Sequence, residues 1–365
     1  MKTSKTTKPE SREEIRANYQ PSEDSKNDLM LMCGEAGLPS AHLDSRAKQS
    51  CSFAQVAASW QLAMQARQKA TTQQKYAYLL KKHILPHLGN CEVGSLSTDR
   101  ISAFIREKLS CGRIGDSGKL SPSYVRSMAI LIGSVLRFAD KQNICFGSQI
   151  EIYKPALVRK EVEILSINEQ LYLEECLLGE DTPTGMGIIV SLNTGLRLGE
   201  ICALSWDDIC WDDHTLTVRG TVVRLSDDVT SGKAALRIDA PKTPTSLRQI
   251  PIPLKLWAPL RHLYRNSVGK YMLTGTDKFI SPRTYEYRFH RSLEHYGIRT
   301  VNYHALRHTF ATRCIEAGMD IKTLSELLGH SNVATTMNTY VHSSMERKRI
   351  QIEKVTALFE KCRAE

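Results

Sequence analysis

The chain has 365 residues, of which 41% are hydrophobic and 24% charged, values typical of a globular protein with room for two domains. It contains no apolar run near the roughly 20 residues of a membrane span, and its polar start lacks the apolar core of a secretory signal. We therefore expect a cytoplasmic protein without a membrane partner. The ten Cys form no C-x-x-C pair and no tight Cys/His cluster, which favours reduced thiols over a zinc site or a disulfide framework.

The net charge of +10 comes from one part of the chain. Residues 51–160 hold 16 basic and 6 acidic side chains, whereas residues 1–50 hold 8 of each and residues 161–365 hold 25 of each. A localised positive field indicates a polyanionic partner, with nucleic acid first among the candidates. Charge alone is equally compatible with a solvated basic face on an ordinary helical domain.

Residues 1–50 are polar and weakly patterned, which predicts a flexible arm. Four helices are predicted in residues 51–155, in the segments SFAQVAASWQLAMQA, TTQQKYAYLLKKHILPHLG, STDRISAFIREKLS and SPSYVRSMAILIGSVLRFADKQN. Their expected boundary residues are Thr71 or Thr72, Pro86 with Gly89, Ser97 or Thr98, and Pro122. Basic side chains on or near the polar helix faces could meet phosphates: Lys75, Lys81, Lys82, Arg126 and Arg137.

A mixed domain is predicted over residues 161–345, after the extended linker IYKPALVRKEVEIL. Its helical segments are NEQLYLEECLL, GMGIIVSLNTGLRLGEICALSW and the stretch from about 285. Three β-strands are predicted at TLTVRGTVVRL, ALRIDAP and RQIPIP. Residues 346–365 are predicted to form an amphipathic helical tail.

Arg197 lies between two glycines in TGLRLGE, which predicts a tight backbone site just before a helix. A positive charge in such an apolar segment needs a partner. Taken alone, the segment is explained by an internal ion pair with Glu200.

A His-x-x-Arg-His string follows in HALRHTFATRC. His304 and Arg307 are three positions apart and share a helix face. The string is not H-E-x-x-H and has no further ligand at metal spacing, which argues against zinc. Downstream, His330 is expected in a turn after a helix, and Tyr340 on the next helix.

Lys242 is expected in the turn between the second and third strands, where a lysine is usually only solvated. The combined set of residues suits phosphoryl transfer. It comprises two Arg, several His, one Lys and one Tyr, and it lacks a catalytic carboxylate pair. Arginines hold a phosphate and stabilise its transition state, Tyr can attack phosphorus, and Lys or His can move protons. Because cationic side chains neutralise the charge, neither Mg²⁺ nor a cofactor is required.

The segments TGLRLGEICALSWDDI, PKTPTSLRQIPI, HALRHTFATRCIEAG and LGHSNVATTMNTYVH resemble the tyrosine recombinases, the phage integrase family. The resemblance covers about residues 52–345, with four motifs in family order. It implies a four-helix, SAM-like core-binding domain and a mixed α+β catalytic domain of the DNA breaking-rejoining type with a three-stranded antiparallel sheet. It also implies double-stranded DNA attachment sites as substrate and a homotetramer on DNA, with an excisionase or a host DNA-bending protein as a further partner. It further implies that the tail of residues 346–365 packs on a neighbouring protomer, with packing in cis as the alternative.

The resemblance also implies roles by motif position. Arg197 and Arg307 would hold the scissile phosphate, and Lys242 would be the general acid for the leaving 5′-oxygen. His304 would assist acid–base transfer, and His330 would hydrogen-bond the phosphate or assist proton transfer. Tyr340 would attack to give a 3′-phosphotyrosine, while Glu200 and His308 are interpreted as structural.

The leading hypothesis is a recombinase that integrates or excises a mobile element through a Holliday junction. A chromosome-dimer-resolving recombinase of the same family is the alternative. A type IB-like topoisomerase shares the chemistry, but the short spacing and compact size argue against it. A non-catalytic DNA-binding protein would have lost one of the motif residues, and none is replaced. Residues 1–50 are then a reduced arm-binding region or a simple extension.

Overall fold

The computed structural model describes residues 51–116, 118–144, 150–157, 162–226, 234–240, 247–340, 349, 352, 353 and 356. These residues belong to one compact unit that spans residues 50–365. The predicted arm, residues 1–50, lies outside the described part. Within the described ranges, no helix has the length and apolarity needed to cross a bilayer.

The N-terminal half of the described chain is helical. Its helices are α1 (Phe53–Gln65), α2 (Ala70–Leu79), α3 (Leu85–Leu88), α4 (Thr98–Cys111) and α5 (Pro122–Lys141). Ser52 caps α1 through a capping box with Gln55. Phe53, Val56 and Trp60 then line its buried face at helical spacing. The four predicted helical segments are confirmed.

Of the boundary residues predicted for the second segment, Gly89 is confirmed, because it follows the last residue of α3, whereas the others were wrong. Helix α2 begins at Ala70, after Lys69, which makes no side-chain cap, so neither Thr71 nor Thr72 caps it. Pro86 does not end the segment, because it lies in the first turn of α3. A π-helical stretch, Leu80–Ile84, joins α2 to α3.

Two separate hydrophobic cores lie on either side of the linker. One is built by residues 53–139 and the other by residues 165–306, with a smaller separate cluster within residues 311–328. The linker is tied at both ends, since Arg126 Nη1 donates to Pro155 O at 2.9 Å and Leu165 N donates to Thr309 Oγ1 at 2.9 Å. The domain limits at residues 155 and 161 stay a prediction.

Among the described residues, further helices and five strands enclose the second core. The helices are α6 (Ile167–Glu180), α7 (Pro183–Thr194), α8 (Leu198–Ala203), α9 (Trp257–Asn266), α10 (Pro282–His295), α11 (His304–Glu316), α12 (Ile321–Leu328) and α13 (Val333–Tyr340). The strands are β1 (Ile209–Cys210), β2 (Thr215–Val218), β3 (Thr221–Ser226), β4 (Ala234–Asp239) and β5 (Arg248–Pro251). Gly195 at φ +66° separates α7 from α8, so the long predicted helical segment is two helices.

The strand pairing also differs from the prediction. A three-stranded antiparallel sheet exists, in the order β1-β2-β5, with Leu216 opposite Ile250. The segment TLTVRGTVVRL is not one strand, because it divides into β2 and β3 around residues 219–220. Strand β3 pairs with β4 in a separate two-stranded sheet. The expected mixed α+β architecture is confirmed, but the three-stranded sheet contains different strands from those predicted.

Candidate active site

Three arginines bind the C-terminal end of α12. Arg248 Nε donates to Leu327 O at 2.6 Å, Arg307 Nη2 to Leu328 O at 2.7 Å, and Arg197 Nη2 to Gly329 O at 3.3 Å. The last carbonyls of a helix lack intrahelical donors and carry the negative end of its dipole. One helix end therefore gathers guanidiniums from three separate segments of the chain.

The backbone at this point favours glycine. Gly329 ends α12 in the left-handed region, at φ +63°. Gly195 has φ +66°, and a Cβ there would lie 2.6 Å from the Phe310 ring and 2.9 Å from the Leu328 side chain. Both glycines thus allow the α7–α8 and α12–α13 junctions to approach each other closely.

Arg307 is buried, with 1% of its surface exposed. Its Nη1 donates to Gly195 O at 2.8 Å, and its Nη2 lies 2.8 Å from His330 Nε2. A guanidinium has only donors, so these contacts fix its plane from two sides. Arg307 thereby connects the turn before α8 with the turn after α12.

Glu200 holds the other two arginines. Its carboxylate accepts from Arg197 N at 2.9 Å, Arg197 Nη1 at 2.8 Å, and Arg248 Nη2 at 2.9 Å. Burial alone would raise the pKa of Glu200, but hydrogen bonding and charge from Arg248, and charge from Arg197, outweigh it and lower the pKa to about 2. Glu200 is therefore an ionised structural anchor for Arg197.

Replacing Glu200→Gln is expected to lower the free energy of unfolding by about 3 kcal/mol, because it leaves the buried guanidinium of Arg248 and the half-buried one of Arg197 without their anion. The stabilisation by Glu200 should be fully present above its ordinary pKa of 4.5 and be lost as pH falls towards about 2. Urea unfolding at pH 7 measures the difference. Glu326→Gln, in an exposed pair with Lys322, is the control and should cost at most ~0.5 kcal/mol. A Glu200→Gln protein as stable as this control would contradict the assignment.

His330 lies directly after Gly329. Because the facing atom of Arg307 can only donate, His330 Nε2 must accept, and the ring proton lies on Nδ1. Nδ1 is 2.8 Å from Thr336 Oγ1. Desolvation, and then the charges of Arg307, Arg197, Arg248 and His304, lower the pKa of His330 to about 4. The ring is neutral at pH 7.

His304 and His308 lie one turn apart on α11, with their rings edge to face and centroids 4.5 Å apart. Desolvation lowers the pKa of His304, with further contributions from Arg307 and Arg197. Desolvation, and then His304 and Arg307, lower the pKa of His308 to about 4. Both rings are thus biased towards the neutral form, in which one ring nitrogen can accept a proton.

The structure brings Arg197, His304, Arg307 and His330 together. Lys242 lies in residues 241–246, outside the described part of the chain. Tyr340 ends α13, ten residues after His330, and its side chain is likewise outside the described residues. Asn332 caps the start of α13, since its side chain accepts from Ala334 N at 2.8 Å. The turn that holds His330 therefore leads directly into the helix of Tyr340.

The basic side chains of the helical half differ in their contacts. Lys75, Lys81, Lys82 and Arg137 are exposed. Lys75 Nζ lies 3.4 Å from Ser127 Oγ. Arg126 is partly buried and holds the carbonyl of Pro155, so at least part of its role is structural. Contact of the other four with phosphates stays a prediction.

Sequence reasoning missed Arg248 and Thr336. Arg248 could have been found, because it shares the inward face of RQIPI with Ile250, and a charge on a buried strand face needs a partner. Thr336 gave no comparable signal. In the part of the chain that the structure describes, no group of three or more His, Cys, Asp or Glu is placed to hold a metal ion.

Two family models match this chain. The Phage integrase family matches residues 181–347, and the Phage integrase, N-terminal SAM-like domain matches residues 52–109. Together they cover more than half of the 365 residues.

Named relatives and solved structures agree with these models. A tyrosine recombinase XerC-like protein of Caldanaerobacter subterraneus subsp. tengcongensis is 30% identical over 238 residues, 60% of this chain and 60% of that protein. Tyrosine recombinase XerC of Chlamydia caviae is 26% identical over 69% of this chain and 75% of its own. The Tn1549 transposon integrase in complex with transposon right end DNA has a TM-score of 0.66 at 20% identity, over 84% of this chain and 100% of that one. A lambda integrase tetramer bound to a Holliday junction has a TM-score of 0.59 at 18% identity, over 80% of this chain and 78% of that one. At these identities the structures show a shared fold.

Proposed function

Since this chain belongs to the phage integrase family of tyrosine recombinases, we propose that it is a site-specific DNA recombinase that breaks and rejoins DNA through a 3′-phosphotyrosyl intermediate. The observation that carries the proposal is the convergence of Arg197, Arg307 and His330 on one helix end. That helix end is joined by a short turn to the helix of Tyr340. Two fixed guanidiniums beside a helix that carries a tyrosine suit attack on a bound phosphodiester.

The proposed cleavage step forms one bond and breaks another. The Tyr340 hydroxyl oxygen attacks phosphorus, and its proton passes to a neutral imidazole, that of His304 or His330. The bond from phosphorus to the 5′-oxygen breaks, and Lys242 supplies the proton that the leaving oxygen takes up. Arg197 and Arg307 neutralise the charge on the non-bridging oxygens. In the second step, a 5′-hydroxyl from a partner duplex attacks the phosphotyrosine and releases Tyr340.

Covalent trapping of the protein on a nicked DNA duplex tests this proposal. The protein is incubated in EDTA with a nicked duplex that carries the junction flanking its gene. After cleavage the short strand diffuses away, so that the DNA cannot be rejoined and the covalent adduct accumulates. We expect a covalent adduct at the 3′ end of the cleaved strand and a free 5′-hydroxyl, because cationic side chains supply the neutralising charge. Absence of an adduct on every flanking junction, with DNA binding intact, would contradict a recombinase.

The biological role proposed first is integration or excision of a mobile element, by a homotetramer acting through a Holliday junction in the cytoplasm, on the nucleoid. The fold shared with a transposon integrase supports this role. The XerC and XerC-like relatives favour the alternative of chromosome-dimer resolution. Cleavage of element ends supports the first role, and cleavage confined to a chromosomal resolution site supports the second. The mobile-element role also includes an excisionase or a DNA-bending protein as a partner. It further includes binding of arm sites by residues 1–50.

The role of Lys242 as general acid gives a separate prediction. Lys242→Ala should slow cleavage of ordinary DNA by about 10²–10⁴-fold, the usual contribution of positioned proton transfer. The same variant should cleave a 5′-phosphorothiolate substrate nearly as fast as wild type, because sulfur leaves without a proton. Single-turnover rates on the two substrates measure the difference. Equal slowing on both would remove Lys242 from this role, and Lys278→Ala, at a lysine of the α9–α10 loop, is the control.

A further inference from the structure

Thr336 lies on α13, one helical turn before Tyr340, and is fully buried. Its hydroxyl is 2.8 Å from His330 Nδ1. A fully buried hydroxyl aimed at a ring nitrogen is a specific contact, because such groups are costly to bury without a partner. No motif of the sequence had assigned Thr336 a role.

The partners of His330 define its tautomer. At Nε2 the ring faces a donor of Arg307, so that nitrogen must carry a lone pair. The proton therefore lies on Nδ1 and is donated to Thr336. The opposite tautomer would set the Nε2 proton against the Arg307 donor.

From this geometry we infer that Thr336 is a positioning residue that holds His330 in the Nδ1–H tautomer and ties the helix of Tyr340 to the arginine cluster. When a phosphate oxygen engages Arg307, the contact at Nε2 is shared with the substrate, whereas the contact at Nδ1 remains. Thr336 then keeps the proton on Nδ1, so that the Nε2 lone pair beside Arg307 can accept a proton. This kinetic consequence rests on the proposed recombinase function, but the tautomer does not.

The tautomer is measured first, without DNA. Protein labelled with ¹⁵N only in histidine is examined at pH 7, and the His330 signals among the 11 His are assigned by their loss in His330→Asn. We expect Nδ1 to be protonated and Nε2 to be unprotonated in the wild type. In Thr336→Val, which removes the hydroxyl but keeps the shape, Arg307 still keeps Nε2 unprotonated, but the Nδ1–H resonance should shift because the proton loses its acceptor. A wild-type His330 protonated at Nε2, or a spectrum unchanged in Thr336→Val, would overturn the inference.

Charged and titratable groups around His330 are the same in both proteins, since Arg197, Arg248, Arg307, His304 and Glu200 are untouched. A spectral change in Thr336→Val thus reports the hydroxyl. If Thr336→Val does not fold, the wild-type spectrum and Thr336→Ser decide the question.

Single-turnover cleavage of the nicked duplex is the second test. Thr336→Val should cleave about 10–100-fold more slowly, the usual effect of removing an outer partner of a site histidine, with an unchanged Kd for DNA. Thr336→Ser keeps the hydroxyl and should stay close to the wild-type rate. Thr335→Val, an equal change at the exposed neighbouring position, should have no effect. Thr336→Ser as slow as Thr336→Val, or Thr336→Val at the wild-type rate, would overturn the inference.

The two tests separate the inference from the proposed function. A wild-type protein that forms no adduct removes the recombinase proposal, while the tautomer measurement still decides whether Thr336 holds His330. An adduct-forming wild type whose His330 is protonated at Nε2 removes the inference alone.

Discussion

Tyr340→Phe is expected to bind core DNA with the wild-type Kd and to form no covalent adduct. The change removes only the nucleophilic oxygen, and loss of a nucleophile costs on the order of 10⁶ in rate. Phenylalanine keeps the aromatic ring, and the contacts of Thr336 and Asn332 that hold α13 are untouched. Denaturing gels of the nicked-duplex reaction measure the adduct, and gel shifts measure binding.

The matched control is Tyr287→Phe, at an exposed tyrosine of α10. It removes the same oxygen away from the arginine cluster and should leave adduct formation unchanged. A residual 3′-linked adduct in Tyr340→Phe would assign the nucleophile to another residue. Loss of DNA binding in Tyr340→Phe would show that the hydroxyl has a structural role that the account does not include.

Arg307→Lys is the substitution with the second largest expected effect. Lysine keeps the positive charge but cannot donate simultaneously to Gly195 O, Leu328 O and His330 Nε2. We expect cleavage to fall by about 10³-fold or more, within the range for an arginine that stabilises a phosphoryl transition state. The two buried carbonyls that lose a donor should also lower the free energy of unfolding by about 1–3 kcal/mol each. Single-turnover cleavage and urea unfolding measure the two effects separately.

Arg313→Lys provides the control on the same helix. Arg313 donates to Leu165 O at 2.7 Å and pairs with Glu316, so the change also weakens an arginine contact of α11. It should lower stability without a comparable loss of cleavage at saturating DNA. If Arg307→Lys lost only as much activity as Arg313→Lys, Arg307 would be a packing residue, and the phosphate would need another partner.

The helical order of the chain could be predicted because its local signals are strong. Ser52, Ser97 and Ser121 each cap a helix through a side-chain oxygen. Apolar residues spaced three or four positions apart indicate the helices that follow. The start of α2 could not be predicted, because Lys69 makes no cap and the nearby threonines offered a better one. The division of TLTVRGTVVRL depends on which strands β2 and β3 pair with, and pairing is a tertiary property.

The candidate site was predictable as a set of residues but not as a network. The motifs indicate Arg197, Arg307 and His330, yet their shared attachment to the end of α12 is visible only in three dimensions. Arg248 comes from a strand some 50 residues after Arg197, and its partner Glu200 had been interpreted only as the partner of Arg197. Side-chain patterns in a sequence do not show that the backbone carbonyls at a helix end accept hydrogen bonds from arginine side chains.

The identity of the residue joined to DNA decides whether Tyr340 is the nucleophile. Wild-type protein trapped on the nicked duplex is digested with trypsin and nuclease, and the nucleotide-bearing peptide is sequenced by mass spectrometry. We expect the peptide of residues 323–347, which contains one tyrosine, with the nucleotide on Tyr340. A nucleotide on any serine or threonine of that peptide, or on a different peptide, would contradict this expectation.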